Sequence, residues 1–271
     1  MMISIIIPTY SPGEYLFECL KSIGDQTLDK EMFDVQIVLN GPKDPYFTLI
    51  SDYIAKSEIT ISLYYSDEKG VSNARNMALE NVHSDYITFI DDDDLISPVY
   101  LQRLLEYAHE NSIVVSNFQA FDGELSNLQP DYLSDAYNKL RTYRRLTILN
   151  SRKFFSNVCG KLIPVALIGN VRFDKRINIG EDSVFIVEIS KNVSSIRLAA
   201  QDSIYYRRMR PESASRRKIA PKELIGLTIY QIGKYISMGF RAPTKYSITL
   251  LILKIIASVK STVITIASNY R

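Results

Sequence analysis

Short apolar runs alternate with amphipathic stretches along the first third of the chain. Residues 3–7 are apolar apart from Ser4 and stop at Pro8. Residues 13–24 then carry Tyr15, Leu16, Cys19, Leu20 and Ile23 at helical spacing. Residues 35–39 give a second strand, closed by Asn40-Gly41-Pro42, and residues 47–55 a helix. A third strand over 59–65, a helix over 70–81 and a fourth strand over 86–90 follow. Strands without polar alternation are buried on both faces. The order β-α-β-α-β-α-β therefore predicts an α/β fold with a mostly parallel sheet and right-handed crossovers.

Beyond residue 98 the pattern loosens. Residues 98–111 set Leu101, Leu104, Leu105 and Ala108 on one helix face, and 113–118 predict a strand. Residues 122–145 are polar, tyrosine-bearing and irregular, a candidate cover for a substrate. Helices are predicted over 157–167 and 183–190, and at least one strand within 196–206. A composition shift near 220 separates residues 1–220 from a helical C-terminal region, 221–271. Within that region, residues 246–267 are rich in Leu, Ile and Val, with Lys245, Lys254, Lys260 and Arg271 distributed along it. Lys254 and Lys260 keep the run below the roughly 18 uninterrupted apolar residues of a spanning helix. A helix lying on an anionic membrane surface, its lysines reaching headgroups, competes with one packed on the body of the protein or at a dimer interface.

Composition changes this picture in two places. Hydrophobic residues at 46% and charged residues at 23% are ordinary for a globular chain. Cys19 and Cys159 are too few for a disulfide framework or a structural zinc site, which points to a cytoplasmic setting. Residues 1–8 fit a first strand better than a signal peptide. The net charge of +2 hides an asymmetry: residues 1–202 sum to −9 and residues 203–271 to +11, so the last quarter suits an anionic partner. The basic residues accompany an apolar tail rather than a base-stacking aromatic array, which argues against nucleic acid.

The chemistry concentrates after the predicted strands. Asp91, Asp92, Asp93 and Asp94 follow the fourth strand directly, where an open α/β sheet forms its ligand crevice. Four adjacent carboxylates repel unless cations neutralise some of them, and hard oxygens suit Mg²⁺ or Mn²⁺. An acidic turn capping the helix near Ser97-Pro98 is the plainer alternative. Pro8-Thr9-Tyr10 follows the first strand, with Glu14 opening the next helix; Tyr10 can stack on a base. No GxGxxG or GxxxxGK[ST] glycines accompany it. Lys69-Gly70-Val71-Ser72-Asn73-Ala74-Arg75-Asn76 opens a helix, with Gly70 allowing close approach and Arg75 placed to meet an anion or orient the acids. Gly180-Glu181-Asp182 puts carboxylates at a helix start, where one can serve as a general base or simply as a cap. A basic loop, 205–213, ends the series with Arg207, Arg208, Arg210 and Ser213, able to clamp a diphosphate or to lie solvated.

Taken together, residues 3–10, 69–76, 89–94, 180–182 and 206–213 closely resemble, in order and separation, the family 2 glycosyltransferases of GT-A fold. The resemblance covers roughly residues 3 to 215. It implies a nucleotide-diphosphate sugar donor, a glycan or lipid-linked acceptor, bound Mn²⁺ or Mg²⁺ and inversion at the anomeric carbon. It further implies a role in bacterial surface polysaccharide or lipopolysaccharide assembly. Asp93 matches the metal ligand, with Asp91 beside it, while Asp91 and Asp92 match positions near the ribose and donor sugar. Asp182 matches the catalytic base, with Glu181 as fallback. Pro8, Thr9, Tyr10 and Glu14 match the nucleotide pocket, and Arg208, Arg210 and Ser213 the loop that closes over the diphosphate. A UDP-sugar is favoured, against one departure: Asn40-Gly41 stands where the family carries an acidic pair that reads the base. A sugar nucleotidyltransferase would need a glycine-rich basic loop after the first strand, which is missing. A sugar-nucleotide-binding module without activity is disfavoured by Asp93 and Asp182 occurring together.

Overall fold

The computed structural model describes residues 1–210 and 219–269. The four predicted buried strands are present as β1 (Ile3–Thr9), β2 (Phe33–Leu39), β3 (Ile61–Tyr65) and β4 (Tyr86–Phe89). The helices between them are α1 (Glu14–Gly24), α2 (Tyr46–Ile54) and α3 (Val71–Glu80). These strands pair in parallel in the order β4-β1-β2-β3, with Ile5 opposite Val35 and Thr88. β1 lies in the middle and every residue of it is buried, which is why its sequence is apolar without alternation.

After β4 the acidic run leads into β5 (Leu95–Ile96) and α4 (Tyr100–Glu106). The single strand predicted over 113–118 is two: β6 (Ser112–Val115) and β7 (Asn117–Asp122) meet at Ser116, where the chain passes from one sheet to another. The stretch predicted irregular contains β8 (Glu124–Gln129) and α5 (Tyr132–Leu140). The helix predicted over 157–167 is instead an irregular segment, 157–160, then the strand β9 (Lys161–Pro164) and the single turn α6 (Val165–Ile168). Two neighbours, β4 and β6, flank β9 antiparallel and supply the hydrogen bonds that decide its form, overriding local helical preference.

α7 (Glu181–Ile189) matches its prediction, and β10 (Ser195–Leu198) and β11 (Ile204–Arg208) divide the stretch that follows. The large sheet runs β10-β6-β9-β4-β1-β2-β3, and the small one β5-β11-β7-β8. β6 pairs with β10 in the first and β7 with β11 in the second, so two adjacent strands carry the chain between sheets together.

The C-terminal region is a helical hairpin, α8 (Pro221–Arg241) and α9 (Ile248–Asn269). Its inner face is packed on the body of the protein. Tyr235 donates to Ser183 Oγ at 3.0 Å, and Tyr246 to the Glu188 carbonyl at 3.2 Å. Lys254, expected to face headgroups, is instead buried and donates to the Phe155 carbonyl.

Candidate active site

The crevice opens where β1 and β4 separate. Ile90 N–H donates to the Ile6 carbonyl, 3.0 Å, near the end of their pairing. Pro8 faces the same side two residues later, so its missing N–H removes no ladder bond from a central strand. Past that point Thr9 reaches across the gap and donates to Asp92 Oδ2.

The four aspartates then diverge in role. Asp94 is buried, and its Oδ1 accepts the Arg208 backbone N–H at 2.8 Å. Burial holds its carboxyl well above the usual range. Asp92 is pushed up to about 7, by burial first and by Asp93 and Asp91 in addition, with the Thr9 bond opposing. Asp91 pairs with Arg75 at 3.1 Å, and Asp93 pairs with Arg210. Short β5 pairs antiparallel with β11, Tyr205 opposite Ile96, and this pairing delivers the arginines of β11 and the following residues to the acids.

Arg208 is committed to the protein. Its Nε donates to the Asp93 carbonyl at 2.9 Å, its Nη1 to the Gly123 carbonyl at 3.2 Å, and its Nη2 pairs with Glu18. It lies 4.3 Å over Tyr15 and 4.7 Å over Phe121, measured to the ring centres. In this conformation it braces the acid loop. Arg210 is more open, with a buried Nε that has no partner among the described residues. Ser213 lies outside the described residues.

Arg75, at the start of the second turn of α3, is the centre of the second half. It is 3% exposed, yet its guanidinium meets Asp91, Asp182 at 2.6 Å and Glu181 at 3.5 Å. Burial opposes its charge, but Asp182 and Asp91 overcome that and raise its pKa. Asp182 also accepts the Val158 N–H at 3.3 Å. Burial raises the Asp182 carboxyl and Arg75 opposes the rise; Glu181 is pushed up to about 7 by burial and then by Asp182. Gly180 holds the left-handed φ of 78° that starts α7 here, and a Cβ on it would meet the Gln231 amide at 2.8 Å.

At the far end of the crevice Asn40 is buried. Its amide donates to the Gly70 carbonyl at 2.8 Å, while its Oδ1 has no partner among the described residues. Tyr10 is half-exposed and lies over Gly41, with Lys69 Nζ 5.9 Å from its ring. Glu14 is exposed at the start of α1, away from the contacts just described. Sequence reasoning did not find Tyr15, Glu18 or Val158. The first two are one helical turn apart on α1, a spacing that signals a shared face but not which arginine it meets.

A divalent ion fits these donors in type. Asp91 and Asp93 present hard oxygens at one strand end, and phosphate and water oxygens can complete an octahedral set. No group of three or more His, Cys, Asp or Glu among the described residues is arranged to hold an ion alone, so such an ion would depend on the substrate's oxygens.

The profile of Glycosyl transferase family 2 matches residues 4–167. The chain is 23% identical over 228 residues to poly(ribitol-phosphate) beta-N-acetylglucosaminyltransferase TarS of Staphylococcus aureus, covering 82% of this chain and 38% of that protein. It is 28% identical over 220 residues to the uncharacterized glycosyltransferase EpsJ of Bacillus subtilis, covering 78% and 62%. The chain thus spans less than two thirds of these relatives' length. The structure of S. aureus TarS 1–349 in complex with UDP-GlcNAc superposes with a TM-score of 0.70 at 20% identity, over 87% of this chain and 67% of that one. That neighbour has the GT-A fold, and so does this chain.

Proposed function

Since the chain belongs to glycosyl transferase family 2, we propose that it moves a sugar from a nucleotide-diphosphate sugar to an acceptor hydroxyl, with inversion and with Mg²⁺ or Mn²⁺ bound. The observation that carries this reading is Arg75, which ties Asp91 of the acidic run to Asp182 and Glu181. Donor-side acids and a candidate base thereby share one crevice.

Asp93 and Asp91 would hold the ion, which when bound neutralises the charge developing on the departing diphosphate. Arg210, released from Asp93, adds a second positive charge to the same oxygens, with Ser213 three residues further along the chain. Asp182 takes the acceptor proton; its carboxylate is oriented by Arg75 on one oxygen and Val158 N–H on the other. One base and one displacement give inversion, because no second nucleophile is needed. Tyr10 stacks on the base. The unpartnered Asn40 Oδ1 accepts an N–H from it, as the uracil imide offers, which favours UDP. The acceptor is a glycan or lipid-linked glycan of a bacterial surface polymer. Support comes from relatives named for poly(ribitol-phosphate) and minor teichoic acid synthesis. A cytoplasmic reaction suits the two free buried thiols, Cys19 and Cys159.

The test is turnover of UDP-sugars by the purified chain with Mn²⁺ and with EDTA. Asp182→Asn should lower transfer by about two to four decades while nucleotide affinity stays near normal. Asp93→Asn should abolish metal-supported nucleotide binding. Collapsed nucleotide affinity with normal residual turnover in Asp182→Asn would move that residue into the donor pocket. Full activity of Asp93→Asn would remove the metal from the mechanism.

A further inference from the structure

Each C-terminal helix has an apolar stripe turned away from the body. On α8, Ile225, Ile229, Ile236 and Phe240 recur at three- to four-residue multiples and are exposed, Phe240 by 84%. On α9 the stripe is Ile248, Ile252, Ile256, Val259 and Val263, all exposed. The helices run antiparallel, with Thr228 bonded to Thr262 and Gly239 facing Leu251 and Ile248. Around α8 the order is core (Leu224, Tyr235, Met238), then α9, then the stripe. Around α9 it is core (Leu250, Leu251, Lys254), then α8, then the stripe. In an antiparallel pair this mirrored order brings both stripes to the same outer side, as one continuous apolar face.

We propose that this outer face of the α8–α9 hairpin is a membrane-binding surface that lies flat on an anionic bilayer. The residues beside it are cationic: Lys222, Arg241, Lys245 and Lys260 are exposed, and Glu223 is the sole acid in 219–269. A second copy of the chain on the same face would bring two such positive sets together, whereas acidic headgroups neutralise them. The face is also nearly pure Ile and Val, without the tyrosine, tryptophan and arginine that enrich protein interfaces. α9 has the length and mean hydropathy, 2.0 over Ile248–Ser268, to cross a bilayer. Its inner face is nevertheless spent on Lys254 to Phe155 and the Thr228–Thr262 bond, with Tyr246 to Glu188 just ahead of it, contacts that a spanning pose would break. Lying flat keeps them and buries only the stripe, to the depth of the headgroup boundary. The inference does not depend on the donor or the metal.

The full chain is sedimented with vesicles of phosphatidylcholine alone and of phosphatidylcholine with phosphatidylglycerol, at low and high salt. Two variants accompany it: F240S/I252S/I256S/V263S, and K245Q/K260Q. All substituted side chains are exposed, so circular dichroism and donor hydrolysis should match the wild type and report folding. Wild type should pellet with the anionic vesicles and be released by salt. The serine variant should bind at least about tenfold more weakly, and the glutamine variant about fivefold more weakly per lysine. Wild type remaining in the supernatant with both vesicle types would overturn the proposal, as would equal binding by a folded serine variant. A concentration-dependent dimer that the serine substitutions dissolve, without vesicle binding, would assign the face to self-association instead.

Discussion

Arg75 pairs with Asp91, Asp182 and Glu181, and opposes the rise that burial imposes on the last two; the balance at Glu181 can be measured. Glu181 titrates normally near 4.5 and is pushed up to about 7, by burial and then by Asp182, with Arg75 opposing. Folding therefore takes up a proton on Glu181 between those values. The stability this proton brings is complete below about pH 4.5 and is lost as pH rises through about 7. Glu181→Gln, neutral at every pH, should melt higher than wild type at pH 8, by about 2–4 °C for each kcal/mol relieved. The advantage should vanish toward pH 4.5. Thermal unfolding at the two pH values decides it, and a lower melting point for the variant at pH 8 would mean the Arg75 pair outweighs the burial cost. At this scale the sequence was informative where position along a strand sets role: Asp91 to Asp94 follow a buried strand, so they had to emerge at the crevice. It was uninformative where a partner comes from far away. Nothing near Arg208 in the chain announces Glu18, Tyr15 and the Asp93 carbonyl, which occupy its guanidinium.

Local pattern named most elements correctly where the strands were buried on both faces, as in β1, β2 and β4, and also at the partly buried edge strand β3. It failed at β8, which is exposed and polar, and at β9, where Lys161 breaks the apolar run although it is only 1% exposed. A lysine in a core is rare enough that its sequence context suggests a surface. Here its ammonium donates to Asn157 Oδ1 at 2.7 Å and to the Cys159 carbonyl at 3.0 Å. Those two residues flank Val158, whose N–H holds Asp182. Burial brings the Lys161 pKa down to about 7, with Cys159 and Asp182 opposing. Lys161→Met should therefore loosen the 157–160 segment and misplace Asp182, the proposed base. We expect kcat for transfer to fall by about tenfold to a hundredfold with donor affinity changed less than about twofold. Loss of a nearby cation should also raise the Asp182 pKa, moving the rising limb of the pH–rate profile to higher pH. An unmoved limb with a lower kcat would leave Lys161 a purely structural role.

On the scale of the whole molecule, the composition break near residue 220 coincides with the start of α8, but the hairpin is not loosely appended. α8 reaches α7, which carries the proposed base, through Tyr235 to Ser183, and Gln231 bonds the Ile179 carbonyl just before Gly180. α9 adds Leu250 and Leu251, at 1% and 4% exposure, beside Tyr246 at 8%. Burying a leucine fully contributes about 1.5–3 kcal/mol, so these three side chains together contribute on the order of 5 kcal/mol. That is comparable with the roughly 5–15 kcal/mol by which a whole domain is stable. Hydropathy alone could not divide α9 into an inner face that belongs to the core and an outer face that does not, because both are Ile, Leu and Val. The division comes from the packing of α8, α7 and residues 152–156. A chain shortened after Arg241 should accordingly lose its cooperative melting transition, or melt at least about 10 °C lower, and donor hydrolysis should fall with it. Differential scanning fluorimetry with a parallel hydrolysis assay checks this. A shortened chain that melts within about 3 °C of the full one and keeps hydrolysis would show that α9 is dispensable to the fold. The inner contacts of Leu250, Leu251 and Lys254 would then contribute little, and all of α9 would be free to serve the bilayer.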